Sequence, residues 1–527
     1  MKKYQTWILC ILSAVALGIA QPLYMPALFG SPSRFQWLLG FLSLVAYVPL
    51  WWVIASERLK YTFLITMFTL TLQYTIVLFW IYIACHDYGD IPPLGSAGLA
   101  ILLPMEVAFM GALFFTWGKF LSTRLGISFF YVAPFALCAM EYARNYVPFG
   151  GFPWGNSGYA IGRIPELLQL ACVVGVYGLV FWVGLTNALI ALALKAKTKK
   201  LRMSKLSIAL VLLVIFYTFG FWRLNNNSHD FGPMIKIALL QGNIPQDIKN
   251  NSRMYKSEIL DIYKTLQKQA QEEGAELIIW PEASYPKTFA KNIKDLDLDH
   301  KVPIASVVGA TAYGYDQDSE IPHFHNSAFL QNAEGEIMSR YDKSHLVPFG
   351  EYVPQPFLGL VNKIVPGMGA YRPGTKFEPL MLTLNNDKRI SVGTTICYEG
   401  IFPEISRAYA LKNTSLLVNL TNDAWYGESS APYQHLLMYQ LRSVESGRPY
   451  ARATNSGISA FIDPYGRILK QSGLFTREIL IADVKIINKA TIYTIIGDIV
   501  PQICLAILVL LTGILIYRQA LRMKSSL

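Results

Sequence analysis

The stretch "TTICYEGIFPE" (residues 394–404) decides how this chain is read. A β-branched run leads into Cys397, then a glycine, then a helix start at "FPEISRAYA". A strand-to-helix turn holds a side chain exposed while neighbouring backbone N–H groups can receive an oxyanion. The other five cysteines, Cys10, Cys85, Cys138, Cys172 and Cys504, lie in long apolar stretches. Cys397 alone sits in a polar, foldable segment, with no second cysteine nearby to pair with. It is either a nucleophile or an inert buried thiol.

Around this turn, strand and helix patterns alternate. "MIKIALLQGNI" (234–244), "AELIIWPEAS" (275–284), "VPIASVVGATAY", "KRISVGTTICYEG" and "TSLLVNLTND" read as strands, several of them continuous apolar runs of the kind buried on both faces. "HNSAFLQNAEGEIMSRYDK" and "YARATNSGISAFIDPYGRILK" read as hairpins, the second turning at "DPYG". "SRMYKSEILDIYKTLQKQAQEEG" and "APYQHLLMYQLRSVESGRP" carry helical spacing. Alternating elements with inserted hairpins indicate an α/β domain with two mixed sheets between helix layers, over residues 223–494.

The flanks of this domain are of another kind. Of 527 residues 53% are hydrophobic and only 15% charged, and the mean hydropathy is +0.33. Crossing a bilayer takes about 20 apolar residues. Segments near 6–28, 35–55, 61–84, 95–118, 127–146, 166–194, 206–222 and 495–517 are of that kind, giving about eight transmembrane helices. The expected organisation is a membrane domain at 1–222 with about seven helices, the α/β domain, a last span at 495–517 and a tail at 518–527. Basic residues alternate between the flanks: Lys2, Lys3, Arg58, Lys60, Lys119, Arg124, the "KAKTKKLRMSK" loop and Arg518, Arg522, Lys524 on one side, little on the other. That puts both termini in the cytoplasm and the α/β domain outside it. These flanks account for much of the net charge of +11, so nucleic acid is not called for. The first segment reads as a span or as a cleaved signal peptide, and the topology is the same either way.

Two further residues stand at strand exits. Glu282 ends "LIIWPE", where partial desolvation suits a general base. Lys343 in "RYDKSHLVPFGEYVP" follows a hairpin strand. Each alone has a plain reading, as a solvated loop acid and a surface lysine. Taken together, "WPEAS", "YDKSHLVPFGEYVP" and "CYEGIFPE" resemble the Glu, Lys and Cys motifs of the nitrilase (carbon–nitrogen hydrolase) superfamily, in that order. With the membrane frame, and with "GFPWGNSGY", "QGNIPQ", "NLTNDAWYG" and "RATNSGISAFIDPYGR", nearly the whole chain resembles the apolipoprotein N-acyltransferase family.

The resemblance implies a nitrilase-like α-β-β-α sandwich, carried on a bacterial inner membrane with its catalytic domain on the periplasmic side. It implies an acyl donor, a membrane phospholipid, and an acceptor, the α-amino group of a diacylglyceryl-apolipoprotein, served by a monomer. Glu282 would deprotonate Cys397, Cys397 would become a thioester, and Lys343 with backbone N–H groups near Tyr398 would stabilise the oxyanion. Glu351 would orient Lys343 or relay a proton, and Glu399 belongs to the same pocket. Trp425 and Tyr426 either line an acyl or headgroup path or only pack. Trp154, in "PFGGFPWG", either borders a lipid portal or anchors the chain at the interface. No cofactor or metal is implied, and the histidines of "HFH" (323–325) read as satisfied loop residues. One departure is Asn250, near a position where the family commonly has a tryptophan for substrate placement. The competing readings are a membrane-tethered amidase or nitrilase, a transporter with an accessory domain, and an inactive lipid-binding module.

Overall fold

The computed structural model describes residues 3–24, 36–226, 232–294, 296, 303–316, 321–354, 371–384, 389–487 and 489–525. Lys2 and the end of the first expected span fall outside them. The chain divides into two compact units. One comprises Met1–Asn227, Ser429–Leu437 and Ile496–Leu527; the other comprises Ser228–Glu428 and Met438–Ile495.

The first unit is helical. Among the described residues five helices are long and apolar enough to cross a membrane: Leu38–Ser56, Pro93–Leu125, Ala171–Lys195, Lys199–Asn225 and Ile499–Lys524. Leu59–Val77 and Trp80–His86, bent by 63°, pass as a sixth if taken as one span. Tyr4–Ala20 and Phe129–Ala143 are apolar but shorter. Each expected segment therefore falls on an apolar helix, though not each on one straight helix of full length. Only 11% of the apolar window of Lys199–Asn225 is buried, and Leu210, Val211, Val214, Ile215, Phe221 and Trp222 stand exposed along it. A soluble surface rarely carries so continuous an apolar face; a hydrocarbon surrounding accommodates it.

This unit also buries polar groups. Arg144 pairs with Glu141 at 3.0 Å and donates to Tyr74 Oη, Phe152 O and Trp154 O. Glu141 accepts from the backbone and hydroxyl of Ser157. The pair thus pins the "GFPWGNS" stretch from both sides.

The second unit holds two sheets. The first contains β1 (Met234–Gln241), β2 (Leu277–Ile279), β3 (Thr288–Ala290), β4 (Ala305–Gly314), β5 (His323–Gln331) and β6 (Ile337–Asp342). The second contains β7 (Leu380–Thr383), β8 (Arg389–Ile396), β9 (Leu416–Thr421), β10 (Tyr450–Thr454), β11 (Ala460–Ile462) and β12 (Ile468–Gln471). The last strand, β13 (Glu478–Lys485), returns to the first sheet and pairs antiparallel with β1. The strand orders are β13-β1-β2-β4-β5-β6, with β3 beside β4, and β12-β11-β10-β9-β8-β7.

At the heart of each sheet the strands are parallel: β1, β2 and β4 in one, β8, β9 and β10 in the other. Those strands are buried nearly throughout, which is why their sequences run apolar rather than alternate. The helix Lys256–Glu272 buries Ile259, Leu260, Tyr263, Leu266 and Ala270, one helical face, against the first sheet, and ends before Gly274 at φ +73°. Both hairpins expected from sequence are present, β5 with β6 and β11 with β12. His323 and His325, expected in a loop, lie instead on β5, because the β5–β4 ladder extends to His323.

Candidate active site

Parallel sheets gather their loops at the carboxyl ends of the strands, and there the chemistry of such folds lies. In this unit the loops after β1, β2, β8, β9 and β10 are knitted together. Asn243 N donates to Asn455 O (2.8 Å), and Asn455 Nδ2 donates to Ile244 O (2.8 Å) and to Asn422 Oδ1 (3.1 Å). Asn422 Nδ2 donates to Gln246 Oε1 (2.9 Å). These asparagines sit in "QGNIPQ", "NLTND" and "RATNSG" and tie both sheets into one rim.

Glu282 follows β2. Its turn is possible because Gly309 on β4 has no side chain: a Cβ there would lie 2.0 Å from Pro281 O. Behind the turn, Trp280 stacks on Tyr263 with ring centroids 4.5 Å apart. Glu282 Oε2 accepts from Asn422 N (2.9 Å), and Oε1 accepts from Asn326 Nδ2 (2.7 Å). Lys343 follows β6. Its Nζ lies 2.8 Å from Glu351 Oε2 and 3.5 Å from Glu282 Oε1. Glu351 Oε2 also accepts from Val347 N (2.9 Å), closing the turn that bears it.

Cys397 follows β8 and opens a 3₁₀ turn, Cys397–Ile401, with φ +53°. A left-handed non-glycine residue costs roughly 1–2 kcal/mol, and such strain collects where a side chain must be aimed. The turn is held from below: Tyr439 Oη donates to Cys397 O (2.7 Å), and a Cβ at Gly400 would lie 2.1 Å from the Tyr439 ring. Glu399, fully buried, accepts from Ile396 N (2.8 Å), Ser344 N (2.6 Å), His345 N (2.9 Å) and Tyr341 Oη (2.7 Å). It fastens the lysine loop to the cysteine turn.

The electrostatics are those of one centre. Burial pushes the Cys397 thiol well up, the charge of Glu282 adds to this, and Lys343 opposes it. Burial works against the charge of Lys343, but Glu351, Glu282 and Cys397 outweigh it and hold the ammonium far into the charged range. Lys249, half-buried on the short helix Gln246–Asn250, donates to Glu282 O (3.0 Å); burial brings it down to about 8 against the pull of Glu282 and Cys397. His345 is brought down to about 4 by burial and by Lys343.

The structure thus brings Glu282, Lys343, Cys397, Glu351, Tyr398 and Glu399 into one site. Tyr426 is near enough that, after burial, Cys397, Asp423 and Glu282 hold its phenol well above the ordinary value. Trp425, beside it, is 39% exposed. Trp154 belongs to the helical unit, where it is buried, lies 5.0 Å from the Trp80 ring and donates to Gln434 Oε1 (2.6 Å). Asn250 is exposed and accepts from Gln246 Nε2 (2.8 Å). Sequence reasoning missed Asn326 and Lys249. The signal for Asn326 was an asparagine inside a strand run, where that residue is uncommon.

A thiol on a strained strand-to-helix turn, beside an acid–lysine–acid cluster at the carboxyl ends of two parallel strand sets, defines the class: residues 236–488 match the carbon–nitrogen hydrolase family. Residues 27–189 match the apolipoprotein N-acyltransferase N-terminal domain. The apolipoprotein N-acyltransferase of Geobacter metallireducens is 35% identical over 507 residues, 94% of this chain and 93% of that one. That of Ralstonia nicotianae is 31% identical over 451 residues, 84% of this chain and 83% of its own. That of Bradyrhizobium diazoefficiens is 31% identical over 425 residues, 78% and 77%. The chain belongs to the apolipoprotein N-acyltransferase family.

Proposed function

We propose that this protein moves a fatty acyl chain from a phospholipid to the α-amino group of the diacylglyceryl-cysteine that begins an apolipoprotein, through a thioester on Cys397. The observation that carries the proposal is the convergence of a strained, buried thiol with one lysine shared by two carboxylates. Because burial makes the thiol hold its proton, it needs a base. Glu282 takes that proton as Cys397 Sγ attacks the ester carbonyl. Lys343, with the N–H groups near Tyr398, stabilises the oxyanion. The C–O bond of the ester breaks, the proton passes from Glu282 to the departing lysophospholipid oxygen, and the thioester remains. The acceptor amine then attacks it, Glu282 again takes a proton, and Cys397 leaves as thiol. The donor's product departs before the acceptor reacts, so the kinetics are ping-pong.

Glu351 orients Lys343 from 2.8 Å, and Glu399 is a positioning residue that sets the lysine loop on the cysteine turn. Trp425 and Tyr426 border the substrate path; Trp154 packs within the helical unit. In this reading residues 1–222 form the membrane domain with about seven helices, 223–494 the catalytic domain on the periplasmic side of a bacterial inner membrane, 495–517 the final span, and 518–527 a cytoplasmic tail. The protein works as a monomer. The alternating basic flanks support this orientation.

The test is to incubate the protein in detergent with phospholipid labelled in its acyl chain. Wild type is expected to carry label on Cys397, released by hydroxylamine or by an acceptor peptide. Cys397→Ala is expected to carry none, at unchanged expression. Label elsewhere in the chain, or appreciable transfer by the alanine variant, would contradict the proposal. Label that water releases as fast as acceptor would favour the hydrolase reading.

A further inference from the structure

Glu282 and Glu351 share Lys343, and one side chain lies between the two acids. Asn326 on β5 is buried, and its Nδ2 donates to Glu282 Oε1 at 2.7 Å and to Glu351 Oε1 at 3.0 Å. An amide nitrogen has two hydrogens, so each acid receives one. Turned over, the amide would set its oxygen against both carboxylates, so their charge fixes its orientation. The cost of that orientation is visible: Asn326 Oδ1 is buried and makes no hydrogen bond among the described residues. The backbone of Asn326 meanwhile accepts from Lys343 N (2.8 Å), so the residue that spaces the acids also registers the lysine between them.

We infer that Asn326 is a positioning residue of the acylation centre, which spaces Glu282 and Glu351 by giving one N–H to each, so that Glu282 stays free to take the Cys397 proton. The inference rests on the reading of Glu282 as the base. Hydrogen bonds donated to a carboxylate favour its charged form. Without them the two acids, close on either side of one ammonium, come to share a proton, and the base is protonated up to a higher pH. The other groups that face this pair are Lys343, Cys397, Tyr371 and Tyr426, with His345 beside Lys343 and Glu351, and Lys249 bonded to Glu282 O. Among the described residues none of them hydrogen-bonds the Asn326 side chain, and Lys343 N donates to the Asn326 backbone, an acceptor that every substitution retains.

The experiment follows the rate at which iodoacetamide alkylates Cys397 in the full-length protein in detergent, read by mass spectrometry from pH 5 to 9.5. The probe needs no lipid, so it isolates the step from thiol to thiolate. In wild type the rate is expected to rise along an acidic limb, and Glu282→Gln is expected to lose that limb. In Asn326→Ala the limb is expected to move up by about one pH unit. Asn326→Asp, which keeps the shape and adds a third carboxylate, is expected to move it further. Asn326→Asp carries the test should the alanine variant not fold. If wild type has no limb, or Glu282→Gln keeps it, the reading of Glu282 as base fails and takes the inference with it. If Glu282→Gln loses the limb and the foldable Asn326 variants keep it where wild type has it, only slower or at full rate, Asn326 merely packs and the inference alone is overturned.

Discussion

Each unit buries a cluster of charge, and the two clusters are built differently. In the helical unit Arg144 and Glu141 stand one to one, 3.0 Å apart, and the arginine's remaining bonds go to Tyr74 and to two backbone carbonyls of the stretch it pins. In the α/β unit Lys343 serves two carboxylates, at 2.8 and 3.5 Å, and a thiol stands within reach of their field. A pair that neutralises itself and spends its bonds on backbone is a fastening. Two acids share Lys343, Lys249 is bonded to the backbone of one of them, and a carboxylate so placed near a thiol is where a base would stand. Buried charge by itself therefore does not mark a reactive site; a nucleophile within its field does.

The largest break in this comparison comes from the shared lysine. Lys343→Met is expected to lower single-turnover acylation of Cys397, in the protein that remains folded, by a factor on the order of 10²–10³, the loss typical of an oxyanion donor; because it also strands Glu282 and Glu351, thermal stability in detergent falls too. A collapse of stability with retained acylation would make Lys343 a fastening like Arg144.

The matching change in the other cluster should cost stability and spare the rate. Arg144→Met strands a buried carboxylate, which costs about 3–5 kcal/mol when one partner of a buried pair is removed. Thermal unfolding in detergent should fall sharply, while the acylation rate of protein that remains folded stays within a few-fold of wild type. A large loss of rate at unchanged stability would move the pair into the chemistry.

The smallest effect is expected at His345, whose ring lies 3.9 Å from that of Phe402. It is held neutral, down to about 4, by burial and then by Lys343. A histidine depressed in the fold contributes stability that is present above its ordinary value of about 6.5 and lost as pH falls through about 4. His345→Phe should therefore leave the rate profile between pH 6.5 and 9 unchanged and make the protein less sensitive to acid below that range. A shifted rate profile would mean that His345 handles a proton.

Much of this was legible in the sequence because the same residues carry local and global signals. The runs "LIIWPE" and "ISVGTTIC" are apolar enough to be buried strands and end in the acid and the thiol, so strand end and site coincide. The apolar segments declared themselves by length. Less legible was what depends on geometry across the chain. That Trp80–His86 bends by 63° from Leu59–Val77 follows from packing, not hydropathy. That Ser429–Leu437 groups with the helical unit could not be read from a polar-looking stretch whose Gln434 accepts from Trp154 and donates to Val77 O. The resemblance assigns Glu399 to the pocket, but the bonds it accepts from the backbone of Ile396, Ser344 and His345 are visible only when the loops meet. Asn326 gave almost no signal, because one polar residue in a strand has many ordinary explanations.

The central claim is that Glu282 and Lys343, adjacent in space and alike in an activity screen, fail for different reasons. Single-turnover acylation of Cys397 by labelled phospholipid, followed from pH ~7 to ~9.5 in Glu282→Gln and Lys343→Met, separates them. Loss of the base should lower the rate by ~10²–10⁴ at neutral pH, and part of it should return toward the alkaline end, where the thiol begins to ionise by itself. The return should come late, because burial holds the Cys397 proton beyond the ~8.5 of a free cysteine. Loss of the oxyanion cation should not be repaired by alkali. Equal rescue of both variants, or rescue of Lys343→Met alone, would contradict the assignment even if every residue of the site proved essential.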